Sequence, residues 1–273
     1  MIPSRSRVHD LNKPRDTFCL HHQGYIVKHL SALFLALVFV GCAVDEDVTQ
    51  VEQDVVTAEA LSAAQFANAK TAASAIGGAS LNSDSAAIQA LVATADGQVM
   101  FGTIVACAVS SGQSVSATGP SGTLVFNGEL GVAAAWRTSA PTSANKRWTT
   151  ACVMARTNAT GLTSNVSVRH DTYLPLTSTA PERATYTVAV GAFYGDLFQV
   201  SPKTFACGAV SWPPGSDPLV ECARTINGVT TNCGFSWTGL CTNKPPCTDK
   251  TAPFGTCTGS SISYAEVATL FIP

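Results

Sequence analysis

An apolar segment that ends in a cysteine places the tightest constraint on this chain, because it decides the redox environment in which the rest folds. Lys28 and His29 precede about ten apolar residues, and the small residue Gly41 stands directly before Cys42. This layout is typical of a secretory signal peptide, and the run is too short for a membrane-spanning helix. The sequence therefore predicts a chain that is exported from the cytoplasm.

The end of this segment, Val40-Gly41-Cys42, resembles a bacterial lipobox, in which the cysteine is lipidated on sulfur and becomes the first mature residue. Phe39 departs from the usual leucine three positions before the cysteine. We predict a lipoprotein signal peptide over residues 27–41, with Cys42 as a membrane anchor. A plain secreted protein cut slightly later, or a buried core helix, is the alternative. Ala43, and not an acidic residue, stands directly after Cys42, so this position carries no inner-membrane retention signal and we expect the outer membrane, facing periplasm or exterior.

The composition on either side of this segment divides the chain. Residues 1–26 carry mixed charges that do not belong to a signal peptide, and we interpret them as an over-called start or a leader. Residues 42–82 contain few large apolar side chains and one aromatic, Phe66, so we predict a flexible tether. A globular domain is expected over 83–206, and a disulfide-rich module packed on the same domain over 207–273.

Hydrophobic patterns predict an α+β fold, mainly β, with an antiparallel sheet or sandwich, one or two short core helices and a loop-rich C-terminal module. The apolar run 98–110 suits a buried strand or a helix, and its periodicity does not choose between them. Asn127-Gly128 between apolar runs favours a hairpin turn. The remaining patterns predict helices over 86–92 and 147–156, and strands over 165–170, 185–190 and 266–272.

Ten cysteines are present, of which Cys19 lies upstream of the predicted signal and Cys42 is the predicted anchor. An even number of remaining cysteines in an exported chain predicts four disulfides, for which 105 pairings exist. We expect a Cys107–Cys152 bridge, and a second bridge between Cys241 and Cys247. The predicted disulfide cysteines are Cys107, Cys152, Cys207, Cys222, Cys233, Cys241, Cys247 and Cys257.

Other chemistry is sparse in the sequence. The cysteine-rich segment 207–257 contains no Cys-x-x-Cys pair and no histidine, so we expect no zinc site. No sequence motif indicates a cofactor. Charged residues make up 12% of the chain, against an average near a quarter, and no Lys/Arg cluster follows Cys42. A nucleic-acid partner is therefore not expected.

Catalytic candidates are few, because His170 is the single histidine after the predicted cleavage point. It is a candidate base, although a strand-end histidine is the simpler interpretation. A glycosidase needs two carboxyl groups about 5–10 Å apart. Asp196, among aromatic residues, is the first candidate, with Glu129, Glu182 or Asp171 as its partner. An acid in such a turn more often caps its own backbone. The tryptophans available for a carbohydrate platform are Trp136, Trp148, Trp212 and Trp237.

The order of Trp148, Cys152 and Arg156, the Phe193-Tyr194-Gly195 turn and the late cysteines resembles uncharacterised cysteine-rich lipoproteins of myxobacteria and related bacteria. That resemblance implies an envelope location and a disulfide-stapled domain, and no activity. Our leading hypothesis is a lipid-anchored envelope protein with a non-catalytic structural or binding role, and an envelope protein or a glycan as partner. The alternatives are a secreted carbohydrate-active hydrolase and a glycan- or protein-binding surface adhesin.

Overall fold

A computed structural model describes residues 56–57, 61–158, 165–209, 225–226, 229–230, 234–243 and 245–273, all within one compact unit, Gln50–Pro273. The predictions for the leader, the signal peptide, Cys42, Trp212, Cys222 and Cys233 lie outside the described residues. Within them, five α-helices are present: α1 (Ala63–Ser74), α2 (Ala86–Val92), α3 (Ala95–Ala108), α4 (Ser143–Ala155) and α5 (Ala180–Thr185).

Side-chain caps fix where these helices begin. Ser62 and Gln65 form a reciprocal capping box at the start of α1, and Thr179 and Glu182 form one at the start of α5. Thr94 accepts a hydrogen bond from the Gly97 backbone N–H at 3.0 Å and begins α3. Short polar residues therefore satisfy the first free N–H groups of these helices.

The strands in the described residues are β1 (Val56–Thr57), β2 (Leu61–Ser62), β3 (Ser114–Gly119), β4 (Gly122–Asn127), β5 (Thr157–Asn158), β6 (Asn165–Arg169), β7 (Val188–Asp196), β8 (Lys203–Gly208), β9 (Thr225–Ile226), β10 (Val229–Thr230), β11 (Ser236–Leu240), β12 (Cys257–Gly259), β13 (Ile262–Tyr264) and β14 (Val267–Ile272). Six of them form a central sheet, in the order β1-β6-β14-β7-β8-β11. Neighbouring strands in it are antiparallel, except for the parallel pair β8 and β11.

The two faces of this sheet pack against different parts of the chain. In β7, Phe193 points into a large core with the helices, whereas Ala192 and Tyr194 point into a second core. This alternation follows from the two-residue period of a strand. The second core includes Cys241, Cys257 and other residues of the C-terminal segment. The sheet is therefore covered by helices on one face and by the cysteine-rich segment on the other.

The predicted α+β, mainly β class is confirmed, together with its antiparallel sheet and disulfide-rich C-terminal region. The helical part is larger than the one or two short helices expected, because the run 98–110 forms most of α3. The predicted helix 86–92 is present with Ile88, Leu91 and Val92 buried. The last strand also lies inside the sheet, between β6 and β7.

Two local predictions require correction. The hairpin turn lies between Gly119 and Gly122, where β3 and β4 pair, and not at Asn127-Gly128. A side chain at Gly128 would lie 2.5 Å from the Ser110 carbonyl oxygen, so the close passage of another backbone requires this glycine. The second correction is the tether: residues 61–82 are folded, with Leu61, Phe66 and Leu81 fully buried in the core.

Three disulfides lie in the described residues. The predicted Cys107–Cys152 bridge is confirmed and joins α3 to α4. The predicted Cys241–Cys247 bridge is wrong, because Cys241 pairs with Cys207 and Cys247 pairs with Cys257. The parallel pairing of β8 and β11 brings Cys207 towards Cys241, and an isolated antiparallel bridge sets Cys247 opposite Cys257. Long-range strand pairing therefore decides both bridges.

Candidate functional site

A half-open cleft of about 650 Å³ lies at the end of β6, within the size range of small-molecule sites. Its walls come from the end of β6, from the segment that leads through α5 to β7, and from two distant elements. Those two elements are the loop at Ala252 and Pro253, and Phe271 of β14. The lining residues are Arg169, His170, Asp171, Thr177, Ser178, Arg183, Tyr186, Thr187, Ala252, Pro253 and Phe271.

His170 lines this cleft and is itself buried. Its Nδ1 accepts hydrogen bonds from the backbone N–H groups of Thr172 and Tyr173, at 3.2 and 3.1 Å. A neutral imidazole with an accepting Nδ1 carries its proton on Nε2. That Nε2 is buried, and the Gly255 backbone carbonyl lies beside it. Burial lowers the pKa of His170, and the Gly255 carbonyl and the carboxylates of Asp171 and Asp249 oppose the shift only in part. These contacts favour the neutral form of His170.

Arg169 supports the floor of the cleft. Its Nη2 donates to the backbone carbonyls of Glu182 and Tyr186, both at 2.9 Å, and its guanidinium stacks 4.2 Å from the Phe271 ring centroid. Its Nε lies 3.8 Å from the Glu182 carboxylate. Burial lowers the pKa of Arg169, the carboxylate of Glu182 raises it and the charge of Arg183 lowers it further. These contacts tie α5 to the sheet and offset most of the Arg169 charge.

Arg183 is the exposed cation of the cleft lining. The capping box of Thr179 and Glu182 begins α5 and thereby fixes the position of Arg183 one residue later. Its Nη1 donates to the Ser178 backbone carbonyl, which leaves its remaining N–H groups facing the solvent side. Arg183 can therefore donate to a ligand without losing its anchoring contact.

In the structure, the acids predicted as partners of Asp196 are Glu182, Glu129 and Asp171, and each has different neighbours. The Glu182 carboxylate accepts from Ser167 Oγ and from the Thr179 backbone N–H. Glu129 forms an ion pair with the buried Arg156 at 2.9 Å, close to the end of α4. Asp171 is exposed in the cleft lining beside His170. No hydrogen bond or ion pair within the described residues joins any two of these acids.

Asp196 ends β7 and accepts a hydrogen bond from the Phe198 backbone N–H at 3.0 Å. Its carboxyl group therefore caps its own turn. Burial raises the pKa of Asp196, against that hydrogen bond and the charges of Lys146 and Arg147. Lys146 and Arg147 lie at the start of α4, whereas the partner of Glu129 lies at its end. Asp196 and Glu129 therefore belong to opposite ends of this helix.

The tryptophans form no exposed platform in the described residues. Trp136 is fully buried, and its Nε1 donates to the Ala79 carbonyl at 2.8 Å. Trp148 is 8% exposed and stacks on Tyr173 at a centroid distance of 4.0 Å. Trp237 is half-buried against the larger core. Trp136 and Trp148 are thus core residues, as large aromatic side chains usually are.

Three cysteine sulfurs, of Cys207, Cys241 and Cys247, lie within 4.8 Å of one another. All three belong to disulfides, so none of them offers the thiolate that a metal ion requires. Among the residues from 61 onward that the structure describes, no single helix is long and apolar enough to cross a membrane. α2 and α3 satisfy that test only together, and they are bent by 119° relative to each other.

Sequence reasoning missed Arg169 and Arg183, which are the two cations of the cleft. The spacing of Thr179 and Glu182 matches a capping box and was the available signal for α5 and hence for the position of Arg183. The contacts of Phe271 and Pro253 with this region span more than 60 residues, and no local pattern indicates them.

The fold and the site define a disulfide-bonded α+β protein with a cleft of mixed polar and apolar lining at one end of its central sheet. No protein-family model matches this chain, and comparisons with curated proteins and with solved structures find no match either. The resemblance to cysteine-rich lipoproteins therefore stays a prediction, and function has to be argued from the site.

Proposed function

We propose that this chain is a lipid-anchored protein of the bacterial envelope whose role is to bind a ligand, without catalysis, in the cleft beside His170. Export and lipidation are supported by the apolar segment that ends in Cys42. Three disulfides in the described residues agree with folding in an oxidising compartment. The observation that carries the binding role is the cleft of about 650 Å³ itself, which the exposed Arg183 and Asp171 line together with His170.

A cleft of this volume fits a small-molecule ligand, and the exposed Arg183 stands in its lining as a charged donor. The hydrogen bonds to Nδ1 leave His170 no free lone pair for base catalysis. Binding therefore uses the arrangement as it stands, whereas proton abstraction by His170 does not.

The anchor is tested by expression of the full chain in a bacterial host fed an alkyne analogue of palmitate. We expect a labelled protein in the membrane fraction, and loss of both label and membrane association in Cys42→Ala. The label alone distinguishes lipidation from peripheral association. A product recovered uncleaved, with reduced thiols, in the soluble cell interior would contradict the proposal.

The binding role is tested with a digest of the envelope oligosaccharides of the host. Hydrogen–deuterium exchange of residues 170–187 is expected to slow in the presence of the digest, and the masses of the oligosaccharides to stay unchanged. One observation favours the hydrolase alternative: burial raises the pKa of Asp196, as a general acid requires. New cleavage products that disappear with Asp196→Asn would establish the hydrolase instead.

A further inference from the structure

We propose that β4 is a dimerisation strand, whose free edge pairs with β4 of a second copy of this chain, antiparallel and about a two-fold axis at Val125. In the described part of the chain, β4 pairs only with β3, so its other edge has no partner strand there. Val125 on this strand is 63% exposed. An open strand edge presents backbone donors and acceptors that another strand can take up. No residue of β4 lines the cleft.

The hydrogen bonds of the β3–β4 hairpin determine which backbone groups face the free edge. The Gly128 N–H donates to the Gln113 carbonyl at 2.8 Å, and every second residue of an antiparallel pair bonds to its partner strand in this way. The register of β3 and β4 continues without a shift, so Leu124 and Phe126 bond to β3. The alternate residues of β4, all exposed, therefore direct their N–H and C=O groups away from the hairpin: Thr123, Val125 and Asn127.

Side chains close the outer edge of β3 but not that of β4. The Thr118 N–H donates to Asp84 Oδ1 at 2.9 Å, and the Ser114 carbonyl accepts from Arg137 Nε at 3.0 Å. Among the described residues, no hydrogen bond of this kind reaches the outward backbone groups of β4. β4 also contains no charged residue, no proline and no bulge, which are the usual means of protecting an edge strand. It is therefore open to pairing.

The core holds β4 in the extended form that pairing requires. Leu124 and Phe126 pack against the larger core, and the Phe126 ring meets Phe101 edge-on at a centroid distance of 5.0 Å. On the neighbouring strand, Val115 and Ala117 are buried on the same face of the hairpin. A strand that is already ordered loses little conformational entropy when a second strand pairs with it. The hairpin therefore needs no rearrangement to bind a partner.

The sequence of β4 is complementary to itself in antiparallel register, which makes a second copy the partner. With the two-fold axis at Val125, the two Val125 residues bond to each other, and Thr123 of one copy lies opposite Asn127 of the other. Apolar side chains then meet each other, and hydroxyl meets amide. No charged residue stands between 109 and 128, so pairing brings no like charges together. About six backbone hydrogen bonds over a small area predict a weak dimer.

The test is sedimentation equilibrium of the exported, disulfide-bonded protein in mild detergent, from about 10 μM to about 1 mM, where we expect a monomer–dimer equilibrium. Val125→Lys should raise the dissociation constant of the dimer about tenfold or more, because it sets two like charges directly opposite each other. Ser116→Lys is the matched control and should change the constant less than about twofold. Ser116 is exposed and pairs with Val125, but β4 separates it from the second copy.

Residue-resolved hydrogen exchange of the unchanged protein gives a second measurement that needs no variant. As the protein concentration rises, the backbone amides of Thr123, Val125 and Asn127 should exchange more slowly, whereas those of Leu124 and Phe126 are already protected by β3. A protein that stays monomeric, equal effects of the two lysine substitutions, or exchange at Val125 that is independent of concentration would each overturn the inference. Slow exchange at Val125 at every concentration would assign the edge to another segment of this chain instead.

Discussion

At the scale of single residues, the ionisable side chains of this protein are mostly occupied by the fold itself. Glu182 caps α5 and lies near Arg169, Glu129 neutralises Arg156, and Asp196 caps its own turn. Such contacts explain why acids that look catalytic in the sequence have structural roles. His170 is held by the fold as well, because its Nδ1 accepts from two backbone N–H groups and its Nε2 is buried beside the Gly255 carbonyl.

Two aspartates should give opposite effects of pH on the free energy of unfolding. Hydrogen bonds from the hydroxyl and backbone N–H of Thr118 lower the pKa of Asp84 below 3.8, so its contribution to stability exists above that value and is lost as the pH falls. Burial raises the pKa of Asp196 above 3.8, so its contribution to stability is lost as the pH rises through the folded-state pKa.

The measurement is urea unfolding at a series of pH values from about 3 to 7. Relative to the unchanged protein, Asp84→Asn should lose stability as the pH rises, and Asp196→Asn should gain it. The amide of the second variant still accepts from the Phe198 N–H, so the turn is preserved. Parallel pH profiles for the two variants would show that these environments do not hold in solution.

At the scale of helices and strands, the elements that the sequence predicted correctly have local patterns of apolar residues. α2 and α4 were predicted from apolar residues on one face, and β14 from a run of β-branched and apolar residues. α3 remained ambiguous because apolar residues surround most of it, which removes the periodicity. α1 was assigned to a tether because its buried face is largely alanine: Ala63, Ala69 and Ala73, beside Phe66. Small residues let a helix pack closely against its neighbours while they lower the apparent apolar content.

The core role of α1 predicts a large effect at Phe66. This side chain is fully buried and meets Phe235 edge-on at a centroid distance of 5.8 Å. Phe66→Ala should lower the free energy of unfolding by about 3–5 kcal/mol, whereas Thr71→Ala on the exposed face of the same helix should change it by less than about 0.5 kcal/mol. Urea unfolding measures both values. Equal, small effects would restore the interpretation of this region as a tether.

At the scale of the whole molecule, the fold depends on long-range contacts that local sequence patterns do not predict. The sheet takes β14 into its middle, between β6 and β7, although β14 is the last strand of the chain. The same strand brings Phe271 to the cleft, so the site forms only when the C-terminal segment is in place. Cys107–Cys152 was predictable because both cysteines lie in apolar runs, whereas the other bridges follow from strand pairing. The cleft was not predictable for the same reason.

The bridges should differ in their contribution to stability according to the length of chain that each one closes. Cys107–Cys152 closes a loop with a sequence separation of 45, and Cys247–Cys257 one of 10. Restriction of the unfolded chain then contributes about 4 kcal/mol for the first bridge and about 3 kcal/mol for the second. Paired substitution of both cysteines by alanine, in exported protein, avoids a free thiol that would exchange with other bridges.

We therefore expect Cys107→Ala/Cys152→Ala to unfold at the lower urea concentration of the two double variants. Peptide mapping without reduction should recover the three described bridges intact in the unchanged protein. Because the bridge between α3 and α4 acts on the same unfolded chain as the bridge within the C-terminal segment, the order of the two variants reports loop length rather than local packing. A reversed order would mean that native-state packing at Cys247–Cys257, where the second core is small, outweighs the entropy of the unfolded chain.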